Sequence, residues 1–103
     1  MPADYAENLR QDRRLALLQT LVGAPDYTAH GHLLRTALEG FGHRVSFDAV
    51  RGDLAWLAEQ GLVLVTGGEI PVATLTVRGE DVARGRSQVP GVARKLPGDF
   101  LGA

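Results

Sequence analysis

His30, His32 and His43 are the three imidazoles of the chain, and imidazole is a common ligand for zinc, copper and nickel. Two ligands on one helix face must be three or four residues apart. His30 and His32 are two apart and point to nearly opposite sides, and there is no cysteine to complete a set. These histidines read as surface or capping groups, and neither a metal nor another cofactor is expected. Asp48, Asp53 and Glu59 stand close together in sequence, but their spacing does not make a catalytic carboxylate pair. "TGGE" at 66–69 is too short for a phosphate loop and lacks the Lys-Ser/Thr that reaches a nucleotide. No nucleophile has a plausible base beside it, so the sequence reads as a binding protein and not as an enzyme.

The arginines suggest the kind of binding. Arg51 lies in the first half of the segment "SFDAVRGDLAWLAEQGLV", and an arginine so placed on a groove-reading helix can bind guanine through two hydrogen bonds. Arg44 and Ser46 stand at the entrance of that segment, where a helix N-terminus helps to hold a phosphate. Ala55 follows Arg51 by one turn. The DNA-contact set is therefore Arg44, Ser46, Arg51 and Ala55, with double-stranded DNA as partner. Arg84, Arg86, Arg94 and Lys95 form a second basic cluster, suited to a DNA backbone or a protein partner. Asp53 is read as a maker of local salt bridges, and Asp12, Arg13 and Arg14 as a solvated patch.

The overall charge gives less support to DNA binding. The net charge is −1, whereas phosphate neutralisation normally requires a basic excess. Ser46 to Gly61 holds Arg51 against Asp48, Asp53 and Glu59; positions 62–75 add only Glu69. Between Thr76 and Lys95 five basic residues face Glu80 and Asp81. An alternative is therefore kept: an adaptor whose acidic third helix and hairpin bind a basic or apolar surface of a phage or host protein.

Four helices and a hairpin must position these groups. Leu9, Leu15, Leu18, Leu21 and Val22 have helical spacing over Asp4 to Leu21, with Asp4 as cap. "GAPD" stops that helix. Tyr27 and Thr28 form an extended stub, with Thr28 or its neighbour capping a helix over Ala29 to Phe41 that buries Leu33, Leu34, Ala37, Leu38 and Phe41. Gly42 ends it. Ser46 caps the third helix, with Val45 as a hydrophobic staple. Phe47, Val50, Leu54, Leu57 and Ala58 make its apolar stripe, Trp56 falls on the far side, and Gly61 closes it. Leu62–Val65 and Val72–Leu75 read as strands joined by "TGGEIP". Thr76 caps a short last helix over Val77 to Gly85, which Gly79 weakens. From Ser87 onward two Pro-Gly steps and lost periodicity suggest a tail, loosely ordered or laid across a partner.

The order helix, stub, helix, helix, hairpin, helix is mainly α with a small β-hairpin, an α+β winged helix-turn-helix. The third-helix segment resembles the recognition helix of DeoR-like winged-helix regulators through Ser46, Val50, Arg51, Asp53, Leu54, Leu57, Gly61 and Leu62. "ATLTVRGEDVARG" resembles the close of such domains. The whole chain, including "VPGVARKLPG", resembles small winged-helix proteins of Mu-like phages and prophages. That resemblance implies a transcriptional regulator in the bacterial cytoplasm, with the third helix in the major groove, and fold habit implies a homodimer. Two residues depart from the pattern: Gly52 replaces its second arginine, and Glu69 sits at a hairpin tip where basic residues usually grip DNA.

The chain is 103 residues long and 45% hydrophobic, enough for one domain, read as 1–86 with a tail at 87–103. It has no apolar run long enough to span a bilayer and no secretory h-region, so neither membrane nor export is expected.

Overall fold

The structure is a computed structural model that describes residues 2–97. Its elements are helix α1 (Pro2–Val22), a single 3-10 turn (Pro25–Tyr27), strand β1 (Thr28–His30), helices α2 (Gly31–Gly40) and α3 (Phe47–Glu59), strands β2 (Val63–Thr66) and β3 (Val72–Leu75), and helix α4 (Val77–Ala83). The strands form an antiparallel sheet in the order β1-β3-β2. The result is an α+β fold of four helices and one small sheet.

The second half of α1 runs through the centre of the molecule. Leu15, Ala16, Leu17, Leu18 and Leu21 are buried on every side of it, between α2, α4 and β3. The expected apolar stripe holds there and fails further up, where Leu9 is 40% exposed. The helix begins at Pro2, so Asp4 lies inside its first turn, where a carboxylate favours the positive end of the helix dipole, and is not its cap.

The expected stub is a third strand. Thr28, Ala29 and His30 pair with Thr74, Ala73 and Val72, and the Thr28 and Thr74 hydroxyls meet at 2.9 Å. This ladder holds residues 28–30 extended, so α2 starts at Gly31 and not at Ala29. Its cap is His30, whose Nδ1 accepts the Leu33 N–H at 3.3 Å, and not Thr28. Gly31 donates to the Pro71 carbonyl at 2.8 Å, and a Cβ there would fall 2.8 Å from the Phe47 ring. Leu34 and Leu38 enter the core, while Leu33 and Phe41 face solvent, because a ten-residue helix on one side of the body buries only a narrow stripe.

The third helix follows the expectation at its cap, its central stripe and its end, but Trp56, expected on the far side, is half-buried and packs against the core. The Ser46 hydroxyl accepts the Ala49 N–H at 3.1 Å, Val50, Leu54 and Leu57 are buried, and Gly61 turns the chain with φ +76°. Gly79, read as a weak point of α4, has a packing role. A Cβ there would stand 2.0 Å from the Leu62 carbonyl oxygen, so glycine lets α4 lie directly on the chain entering β2.

The segment expected as a tail folds back in part. Val89 and Val92 are buried in the core, the Ala93 N–H donates to the Gln11 carbonyl at 3.1 Å, and Arg14 Nη1 donates to the Gly91 carbonyl at 2.9 Å. Residues 88–93 thus form a strap across α1. The remainder of the expected tail beyond Pro97 lies outside the described residues. Among the described residues no helix is long and apolar enough to cross a membrane.

Candidate nucleic-acid interface

The helix α3 has two faces of opposite character. Asp48, Arg51, Gly52, Ala55 and Glu59 are exposed, as the turn of about 100° per residue requires once Val50, Leu54 and Leu57 are buried. Arg44, at the entrance, is also exposed. Among the described residues neither Arg44 nor Arg51 has an ion-pair partner. Ser46 stands between them in sequence. Its oxygen accepts from Ala49, and a hydroxyl that accepts one bond can still donate its proton to a phosphate. Gly52 has nothing within 4 Å of where its Cβ would be, so this stripe is low in relief between Arg51 and Ala55.

Asp53 lies on the other face and is 4% exposed. Both its oxygens are taken by α1. Arg13 Nε donates to Oδ2, Arg13 Nη2 donates to Oδ1 at 3.1 Å, and Arg14 Nε lies 3.7 Å from Oδ1. A buried carboxylate needs such partners, because an unpaired charge in a low-dielectric interior is strongly unfavourable. Asp53 therefore makes salt bridges, as expected, but across 40 residues of chain and not locally. Arg13 and Arg14 are not a solvated patch. The available signal was phase: Asp53 is three residues after Val50 and four before Leu57, inside the apolar stripe.

Arg14 joins α1, α3 and the strap. Its guanidinium carbon lies 3.9 Å from the centre of the Trp56 ring, a cation–π contact, while Nη1 holds Gly91. Burial pushes its pKa below the usual arginine value, and the Asp53 carboxylate opposes that shift. Trp56 is half-buried and meets Gly91, where a Cβ would approach its ring to 2.6 Å. Gly91 has φ +98°, a second reason for glycine at that position.

The charge on the exposed face differs from the count along the sequence. With Asp53 neutralised inside, Arg51 stands against Asp48 and Glu59 on the exposed face of α3, less acidic than the linear count but still acidic, and only Arg44 at the entrance brings the surface to balance. The hairpin tip remains acidic at Glu69, which is exposed beside Gly67 and Gly68. Beside the start of α3, the His32 ring stacks on Phe47 with centroids 4.3 Å apart, and His30 meets His32 edge-on at 6.1 Å. His43 is buried, with Nε2 2.7 Å from Asp12 Oδ2, which ties the α2–α3 turn to α1. The second basic cluster lies elsewhere. Arg84 donates to Glu80 at 2.9 Å and Arg86 to Asp81 at 3.0 Å, while Arg94 and Lys95 lie on the chain beyond the strap.

The uncharacterized protein gp26 of Escherichia phage Mu is 47% identical to this chain over 90 residues, spanning 86% of this chain and 93% of its own length. An uncharacterized protein of Haemophilus influenzae is 39% identical over 61 residues, 59% of each chain. No protein-family model matches the chain, and no solved structure matches it.

Proposed function

Because the chain belongs to the family of the phage Mu protein gp26, we propose that it is a Mu-like phage protein of the winged helix-turn-helix class that binds duplex DNA as a transcriptional regulator. In this reading α2 and α3 are the helix-turn-helix, α3 enters the major groove, and β2 and β3 form the wing. The order α1-β1-α2-α3-β2-β3, with β1 on the far edge of β3 from β2, supports the winged-helix assignment. The DeoR-like pattern at Ser46, Val50, Arg51, Asp53, Leu54, Leu57, Gly61 and Leu62 points the same way.

The observation that carries DNA binding is the pair of exposed arginines at the entrance and in the first half of α3, without an ion-pair partner among the described residues, with Asp53 turned inward and neutralised while Asp48 stays exposed beside them. Arg51 reads a base edge, Arg44 and Ser46 hold phosphate, and Ala55 meets the groove through its methyl group. One short helix covers little of a duplex, so the protein acts as a dimer on half-sites about 34 Å apart. Glu69 keeps the wing from gripping phosphate, which leaves more of the affinity to α3.

Fluorescence anisotropy against duplex DNA over a range of salt concentrations tests this. Affinity should fall steeply as salt rises, with a log–log slope of about −0.9 per phosphate contact, and Arg51→Ala should weaken it about tenfold or more. If no duplex binds above background at low salt, the reading fails and the adaptor takes its place.

A further inference from the structure

A second binding site lies between the end of α4 and the chain leaving the strap. Arg84, Gly85, Arg94, Lys95, Leu96 and Pro97 line an open cleft of about 510 Å3. The chain reaches this shape through Gly85, whose φ of +82° turns it sharply off the helix. The Lys95 stem packs 3.3 Å from where a Cβ at position 85 would be, which folds residues 94–97 back over the helix end. The strap holds the same stretch from the other side, through Ala93 on Gln11.

The cleft is basic and its charge is only partly neutralised. No Asp or Glu occurs from Val82 to Pro97, while Arg84, Arg86, Arg94 and Lys95 do, and the next carboxylate in the sequence is Asp99. Glu80 and Asp81 contact Arg84 and Arg86 through the Nε edge, so the terminal guanidinium nitrogens of both make no hydrogen bond among the described residues. Arg94 is exposed and has no ion pair among them. Leu96 stands beside these cations with 57% of its surface exposed, next to Pro97.

This site is separate from the α3 face. Arg51 lies about 160° around the helix from Asp53 and about 140° from Trp56. Asp53 and Trp56 are the residues that meet α1 and the strap, and α4 packs on α1. The cleft is built on the end of α4 and the chain beyond the strap, and shares no residue with the Arg51 face.

We propose that the cleft lined by Arg84, Arg94 and Leu96 docks an acidic segment of a partner protein that also carries an apolar side chain. Carboxylates of the segment pair with the guanidinium groups, and its apolar residue covers Leu96 and Pro97. A phosphate backbone supplies charge but nothing for an exposed leucine and proline, which is why a protein segment fits better than nucleic acid. The site does not depend on the DNA reading, since the two faces use different residues.

The test measures two labelled probes on the full chain at low salt: the pentapeptide Glu-Glu-Leu-Glu-Glu and a short DNA duplex. The peptide should bind the wild type, its neutral counterpart Gln-Gln-Leu-Gln-Gln should not, and Arg94→Glu should weaken the peptide about tenfold or more. Arg84→Gln, an exposed change with circular dichroism as a folding check, should weaken it severalfold. Arg51→Ala should leave it unchanged. The proposal is overturned if the acidic peptide does not bind, if Arg94→Glu leaves its binding unchanged, or if Arg94→Glu weakens the duplex as much as Arg51→Ala does. Wild-type duplex affinity reports on the DNA reading by itself.

Discussion

The inner and outer faces of α3 carry the same kinds of residue and use them in opposite ways. Inside, Asp53 is closed off by Arg13 and Arg14, and Trp56 is held between Arg14 and Gly91. Outside, Asp48, Arg51 and Glu59 are exposed around a bare Gly52. Charge on the inner face fixes the helix to its scaffold, and charge on the outer face makes no ion pair among the described residues. A linear count of charge mixes these two roles. A change inside should register as stability, and a change outside as binding.

The largest effect expected is at Asp53. Asp53→Ala leaves Arg13 and Arg14 facing each other without a counter-ion in a buried position, at a cost of about 3–5 kcal/mol. A small domain has only about 5–15 kcal/mol in total, so urea denaturation should show the midpoint falling sharply. A variant as stable as the wild type would mean that the pair does not hold α3 to α1.

Gly91→Ala comes next. It puts a side chain on a left-handed residue and pushes a methyl into the Trp56 ring, and about 1–3 kcal/mol should be lost. Trp56 fluorescence should shift toward that of an exposed indole. Unchanged emission would separate the strap from the inner face of α3.

On the outer face, Arg51→Ala should change stability by no more than about 0.5 kcal/mol, while duplex binding weakens by about 1–3 kcal/mol. Loss of stability without loss of binding would reverse the assignment of the two faces.

The visibility of these two faces in the sequence follows the range of the interactions that make them. Ser46, the Val50–Leu54–Leu57 stripe and Gly61 act within one helix, so spacing alone defines α3. Thr28 to His30 read as a mere stub because their partner strand lies more than 40 residues later. That pairing, which no local pattern encodes, moved the start of α2 and made His30 its cap. The meeting of Arg14, Trp56 and Gly91 joins three distant parts of the chain, and an unpatterned Pro-Gly stretch gave no sign that Val89 and Val92 were core. Asp53 was legible in principle, since a carboxylate in phase with an apolar stripe demands a partner, but the sequence does not say which cation comes to meet it.

Gly52 gives the smallest effect and the sharpest separation of the two faces. A glycine in an exposed helix interior costs about 0.5–1 kcal/mol against alanine, and a Cβ at this position meets nothing within 4 Å. Gly52→Ala should therefore raise stability by that amount in urea denaturation. If the surface stays free of close contacts in the complex, duplex affinity will not change; if it falls, the groove or its backbone approaches α3 at Gly52 closely enough to exclude a methyl group. Gly52→Arg gives the complementary measurement, because it restores the second arginine of the DeoR-like pattern beside Arg51. It should strengthen duplex binding nearly uniformly across sequences and steepen the salt dependence by about one phosphate contact. No gain from that added charge would mean that the outer face of α3 does not lie against a phosphate backbone.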